Sequence, residues 1–184
     1  MLPPTVCRFV ATLIPVLIQL FHSPHVLAAT VNITVDDMDI DNGVLRMTYE
    51  PIDAWNIGDG CGICSAHPSP AEALGGNWHD VTWWPNGTET EAPRTASLEF
   101  DGSAVYVYSI ISRFPSVNTD LTFFIDDEVV GTYTWVSDGD SSFNYNVPVY
   151  SNDSIIPGAH TLKVQNGFIG GPESLLLLDY IIYS

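Results

Sequence analysis

Apolar and polar residues alternate with a period of two over short stretches of most of this chain, as strands with one buried face do. The runs at 31–35, 44–49, 78–84, 96–100, 104–112, 121–126, 129–135, 143–150, 160–165 and 175–183 are rich in Val, Ile, Thr, Tyr, Phe and Trp. Gly, Pro, Asn, Asp and Ser punctuate them, which is turn chemistry. No segment carries a capped apolar repeat of 3.6 residues. In 104–112 both alternate faces are apolar, Val105 and Val107 on one and Tyr106, Tyr108 and Ile110 on the other, so this strand reads as buried on both sides. Leu121, Phe123 and Ile125 share one face of the next run, and Asp126-Asp127-Glu128 then forms a tight hairpin connection that lacks the usual glycine. The Leu175–Leu178 run ends in Tyr180-Ile181-Ile182-Tyr183, which favours a strand over a buried helix. About ten short strands predict an all-β fold: a two-sheet antiparallel β-sandwich with jelly-roll topology.

The first 29 residues stand outside this pattern. Arg8 is the only side-chain charge in 1–8, Phe9 to Phe21 supply an apolar h-region, and Val26-Leu27-Ala28 or Leu27-Ala28-Ala29 suits a small-residue cleavage site. This is the layout of a secretory signal peptide, too short to span a bilayer. The expected organisation is a signal at 1–29 followed by one domain at 30–184, with no later transmembrane segment. Secretion would remove Cys7 and Arg8 and leave two cysteines. Asn32-Ile33-Thr34, Asn86-Gly87-Thr88 and Asn152-Asp153-Ser154 are N-glycosylation sequons consistent with an extracellular route.

Charge narrows the partners. Asp and Glu number 22 against 5 Lys and Arg, a formal net charge of −17. Nucleic acid and anionic membranes both require the opposite sign. Yet only 15% of residues are charged and 46% are hydrophobic, enough for a core. The oligomeric state is not legible.

The stretch 51–94 breaks the alternation. It is rich in Pro and Gly and holds four of the five tryptophans, which marks it as the place to seek a site. Strand alternation puts Trp78, Asp80 and Trp84 on the face opposite His79, Val81 and Trp83. Because the set with Val81 suits the core, Trp78 and Trp84 are candidate stacking platforms for a sugar, with Asp80 bonding hydroxyls and Trp55 as a further ring. Straight-strand spacing separates Trp78 and Trp84 by roughly 20 Å, which suits an extended polymer. Asn144 and Asn146 would share one face and offer paired amides. The opposing reading packs the tryptophans under the loop and uses the amides on backbone. Cys61-Gly62-Ile63-Cys64 reads as a disulfide bracing the loop in a secreted chain rather than as a redox site, or as zinc held with His67 and His79. Lipase-type and zinc-protease motifs are absent, and no catalytic residue is identifiable.

The order of several pieces resembles the galactose-binding-like β-sandwich of carbohydrate-binding modules and of small secreted proteins of mushroom-forming fungi. They are Ile33-Thr34-Val35-Asp36-Asp37, Ala104–Tyr108, Phe123-Phe124-Ile125-Asp126, Tyr145-Asn146-Val147-Pro148-Val149-Tyr150, Pro157-Gly158-Ala159-His160-Thr161-Leu162 and Leu178-Asp179-Tyr180-Ile181. The resemblance implies a jelly roll, an extracellular location and recognition of a glycan or cell-wall polysaccharide. It also implies a structural calcium held by Asp36 or Asp37 with Asp179. Asp179 lies in an apolar strand and needs some partner on either account, backbone N–H or metal. Three functions follow: a noncatalytic lectin-like domain for neutral glycans, a cell-surface structural or protein-interaction domain without a small-ligand site, and a small glycan-active hydrolase or lyase.

Overall fold

The computed structural model describes residues 31–85 and 92–184. The expected signal segment and Asn86 lie outside these. Thirteen strands follow in chain order: β1 Ile33–Asp36, β2 Ile40–Asp41, β3 Val44–Leu45, β4 Met47–Glu50, β5 Asn56–Ile57, β6 His79–Trp83 and β7 Arg94–Gly102. The rest are β8 Val105–Ser112, β9 Thr119–Ile125, β10 Glu128–Trp135, β11 Phe143–Asn152, β12 Gly158–Asn166 and β13 Ser174–Tyr183. One sheet runs β11-β8-β13-β6-β5 with β1 also on β13, and the other runs β10-β9-β12-β7-β4; β2 and β3 form a separate small hairpin. All pairings are antiparallel. Among the described residues no helix is long and apolar enough to cross a membrane.

The main core lies between the sheets. Leu121, Phe123 and Ile125 project into it from β9, Leu162 and Val164 from β12, and Val105 and Val107 from β8. The predicted hairpin forms, and Asp126 and Asp127 both take φ of +52° and +66°. Aspartate tolerates that left-handed region better than most residues, so two aspartates do the work usually left to glycine.

β13 is buried on both faces, as its leucine run requires. Leu176 and Leu178 join the main core, while Leu175 and Leu177 face outward into a second cluster with Trp78, Ala66 and Ile110. The irregular segment between β5 and β6 folds over the outer face of the six-stranded sheet and closes that cluster. It is held by Ser69 N–H donating to the Tyr145 hydroxyl at 2.6 Å and by Gly58 N–H donating to the Trp78 carbonyl at 2.8 Å. A Cβ at Gly58 would stand 2.0 Å from Trp78 Nε1, so this approach requires glycine. The Cys61–Cys64 disulfide forms within the same segment.

Candidate functional site

The structure corrects the tryptophan assignment. The outward face of β6 is roofed by the irregular segment, so it is a second interior rather than a binding platform. Trp78 is 1% exposed and Asp80 is buried beside it. Trp55 is also buried; its Nε1 donates to the Glu50 carbonyl at 3.3 Å and its ring tilts against Tyr49. None of the three presents a face to a ligand, and a polymer cannot span Trp78 and Trp84. Trp84 alone is open, at 54% exposure, because it lies just beyond the end of β6. The amide pair is altered too. A register shift between Asn144 and Val147, with Asn146 at φ +53°, breaks the alternation that placed both amides on one face. Asn146 Oδ1 instead accepts from the Tyr180 hydroxyl at 3.2 Å.

Trp84 belongs to a crown of apolar side chains at one end of the sandwich. β6 ends there, and the chain turns there after β4, β8, β10 and β12. Trp83 pairs with Ser174, the first residue of β13, so Trp84 stands beside the 167–173 turn that carries exposed Phe168 and Ile169. A Cβ at Gly167 would lie 2.4 Å from the Trp83 ring, which shows how closely this turn packs on β6. The Asn118 carbonyl accepts from Leu175 N–H at 2.9 Å, and its side-chain oxygen accepts from Ser137 N–H at 3.1 Å. These bonds tie the turn to the segment bearing exposed Phe114 and to the β10–β11 connection bearing exposed Val136. Arg113 fixes that connection through Asp138 at 2.6 Å and Asp140 at 2.7 Å, and its guanidinium holds the Asp138 carboxyl below the ordinary range. Polar groups and aromatic faces therefore occur together on loops held by the strands. The sequence signal for Phe114 and Phe168 was present but faint: aromatics next to Pro115 and before Gly170-Gly171.

The acidic residues do converge. β13 pairs with β6 up to Leu178 and with β1 from Tyr180, and Asp179 sits at the change of partner, where the pairing with β8 also shifts register. The Asp179 carbonyl accepts from Asp37 N–H at 3.0 Å, and its Oδ1 accepts from Leu74 N–H at 3.0 Å. Asp36 leans on the same turn, since a Cβ at Gly75 would stand 2.2 Å from its Oδ2. Asp37 Oδ2 meets His79 Nδ1 at 2.7 Å, and His79 stacks on Tyr49 with ring centroids 3.8 Å apart. Burial pushes the Asp179 carboxyl up to about 7, with Asp36 and Asp37 repelling its charge and the Leu74 amide opposing the rise. Burial, then the Asp37 charge, pushes Asp36 up to about 6, and burial alone takes Asp80 to about 6.

One oxygen each of Asp36, Asp37 and Asp179 is buried without a hydrogen-bond partner. Hard, unpaired oxygens are the donor chemistry calcium takes. As the side chains stand, however, no three His, Cys, Asp or Glu among the described residues are spaced to hold an ion.

At the opposite end of the molecule a shallow cavity of about 450 Å³ is lined by residues that include Glu99, Asp101, Asp126 and His160. Its imidazole is already committed, to Asp126 at 2.7 Å and to the Ile156 carbonyl at 2.6 Å.

Comparison with solved structures bears on the fold. The CBM35 domain from Paenibacillus barcinonensis superposes with a TM-score of 0.50 at 10% identity, covering 83% of this chain and 98% of that one. A family 35 carbohydrate-binding module from Clostridium thermocellum gives 0.47 at 10% identity, over 83% and 97% of the two chains. The CBM36-1 domain of a multidomain xylanase from the hindgut metagenome of Trinervitermes trinervoides gives 0.47 at 13% identity, over 84% and 97%. The fold is a galactose-binding-like β-sandwich. No protein-family model and no curated protein sequence matches the chain.

Proposed function

We propose that this protein is a secreted, noncatalytic carbohydrate-binding domain that takes neutral glycans at the crown around Trp84. The observation that carries the proposal is the exposure of Trp84, Phe114 and Phe168 on adjacent turns at one end of the sandwich. Sugar C–H faces stack on such rings while nearby polar groups bond the hydroxyls. The structural neighbour with a TM-score of 0.50 is by its name a carbohydrate-binding module, which supports the class of ligand. The net charge of −17 disfavours anionic polymers and so favours neutral ones.

The test is a glycan array with the secreted protein, followed by affinity measurement on the best glycan. Trp84→Ala and Phe168→Ala should each weaken binding about tenfold or more, the range of a binding hot spot, without a change in Tm. A blank array, or unchanged affinity in both variants, would turn the reading toward an interaction domain that uses the crown for protein contacts.

A second reading concerns the acidic centre. The unpaired oxygens of Asp36, Asp37 and Asp179 favour uptake of calcium there, with a structural rather than catalytic role. The same array run with calcium and with EDTA separates a metal that supports the crown from one that serves stability alone.

A further inference from the structure

Edge strands present unpaired N–H and C=O groups that invite another strand, and folded proteins protect them by shortness, Pro, Lys, bulges or a cover. Four edges of this sandwich follow that rule. β5 has two residues, β1 four, and β4 four with Pro51 next, while β11 carries Pro148. β10 differs. It is an edge eight residues long, with no Pro and no Lys or Arg; beyond the exposed Glu128 at its first position its guard is a bulge between Val129 and Gly131. Val129 is 61% exposed and Val130 37% exposed at its start.

The end of β11 lies against this stretch. Strand directions bring the start of β10 and the end of β11 to the same end of the sandwich. Tyr150 of β11 stacks on Phe123 of β9 at 4.7 Å, and its ring edge packs so closely on β10 that a Cβ at Gly131 would stand 3.1 Å away. Asn152, two residues on and so on the same side of β11, donates from Nδ2 to the Tyr150 hydroxyl at 3.2 Å, and its Oδ1 accepts from Ser154 N–H at 3.0 Å. The carboxamide nitrogen of the sequon Asn152-Asp153-Ser154 is thereby held at the Tyr150 hydroxyl, on the ring that packs against β10.

We infer that Asn152 carries an N-linked glycan and that this glycan covers the Val129–Val130 stretch, guarding the β10 edge. The inference rests on the secretory route expected from residues 1–29 and is independent of the ligand assigned to the crown. The donor is a lipid-linked oligosaccharide diphosphate. Asn152 Nδ2 bonds to the anomeric carbon, the bond from that carbon to the phosphate oxygen breaks, the lipid diphosphate leaves, and one amide proton passes to a base of the transferase. The remaining N–H still serves the Tyr150 hydroxyl, so modification keeps the local geometry. A bulky hydrated chain there blocks approach of a pairing strand along the Val129–Val130 stretch.

The test begins with the full chain secreted from a eukaryotic cell. Release of glycans by peptide N-glycosidase in heavy-oxygen water, followed by peptide mass mapping, should mark Asn152 as occupied; an unmodified Asn152 overturns the inference. Ser154→Ala removes the sequon while keeping Asn152 and its bond to Tyr150, and Asn152→Gln removes it directly. Both should lose monomer to association in light scattering, and adding Val130→Lys to Ser154→Ala should restore the monomer by placing a charge on the edge. Asn32→Gln, which removes the sequon whose asparagine immediately precedes β1, should leave the protein monomeric. If Ser154→Ala stays as monomeric as the parent protein, the glycan is not a guard and the inference fails.

Discussion

Replacing Asp179 by Asn tests the account of the acidic centre, because the two side chains have nearly the same shape and differ in charge. Asp179 is 0% exposed, its Oδ1 accepts from Leu74 N–H, and its Oδ2 has no partner. Asn keeps the acceptor for Leu74 and cannot ionise. Burial raises the folded carboxyl from the ordinary 3.8 to about 7, which means that the unfolded chain gives up its proton first as pH rises. Below 3.8 both states are protonated and the group costs nothing; between 3.8 and about 7 stability falls with each pH step; above about 7 the loss is complete. At 1.36 kcal/mol per pKa unit that loss is about 4 kcal/mol. In EDTA at pH 8, Asp179→Asn should therefore be more stable than the parent by about 2–4 kcal/mol, since Asp36 shares the repulsion. For a domain of this size that is a Tm higher by about 5–15 °C. At pH 4 the two proteins should melt together. Calcium should stabilise the parent at pH 8 and leave the variant unmoved. Calorimetry at pH 4, 6 and 8, with EDTA and with calcium, reads all of this. A variant less stable than the parent in EDTA at pH 8 would refute the reasoning, because the carboxylate would then have a partner that compensates its burial.

Other outcomes follow from the same packing. Trp78→Ala should cost about 3–5 kcal/mol in urea unfolding, the range for emptying a large core site, whereas Trp84→Ala should leave the urea midpoint in place. Gly58→Ala forces a methyl into the Trp78 ring and should cost about 1–3 kcal/mol, seen as a lowered Tm with a red-shifted tryptophan emission. Reducing Cys61–Cys64 opens a loop of only four residues, so the chain-entropy account gives a loss of about 2 kcal/mol, measurable by melting with and without reductant. The Asp126 carboxylate and then the Ile156 carbonyl hold the His160 imidazolium above its ordinary 6.5. That stabilisation is full below 6.5 and fades as pH rises through the folded value, so an NMR titration should find His160 above 6.5 in the parent and closer to it in Asp126→Asn.

Period and turn chemistry carry most of the fold by themselves. Leu121, Phe123 and Ile125 had to share a face, the leucines of β13 had to be buried on both sides, and Asp126-Asp127 had to turn, because alternation and local backbone preference act within a few residues. The acidic trio was legible only by likeness to a known fold, since Asp36 and Asp179 are far apart in sequence. What placed them together is the partner change along β13, from β6 to β1, which is a property of the sheet. The tryptophans show the limit most clearly. Alternation assigned Trp78 correctly to the face opposite Val81, yet no local rule says whether that face meets water or a roof. The irregular segment supplies the roof by burying Leu175, Leu177 and Ile110 under Trp78, and burial of that apolar area decides the outcome. Trp84 escapes because it lies one residue beyond the strand. The sequence by itself determined the long strands, their inward faces and the acidity, while the two-residue strands β2 and β5 and the break of 44–49 into β3 and β4 came only with the fold; tertiary structure alone decided which aromatics stay exposed, because exposure depends on what long-range packing lays over each face.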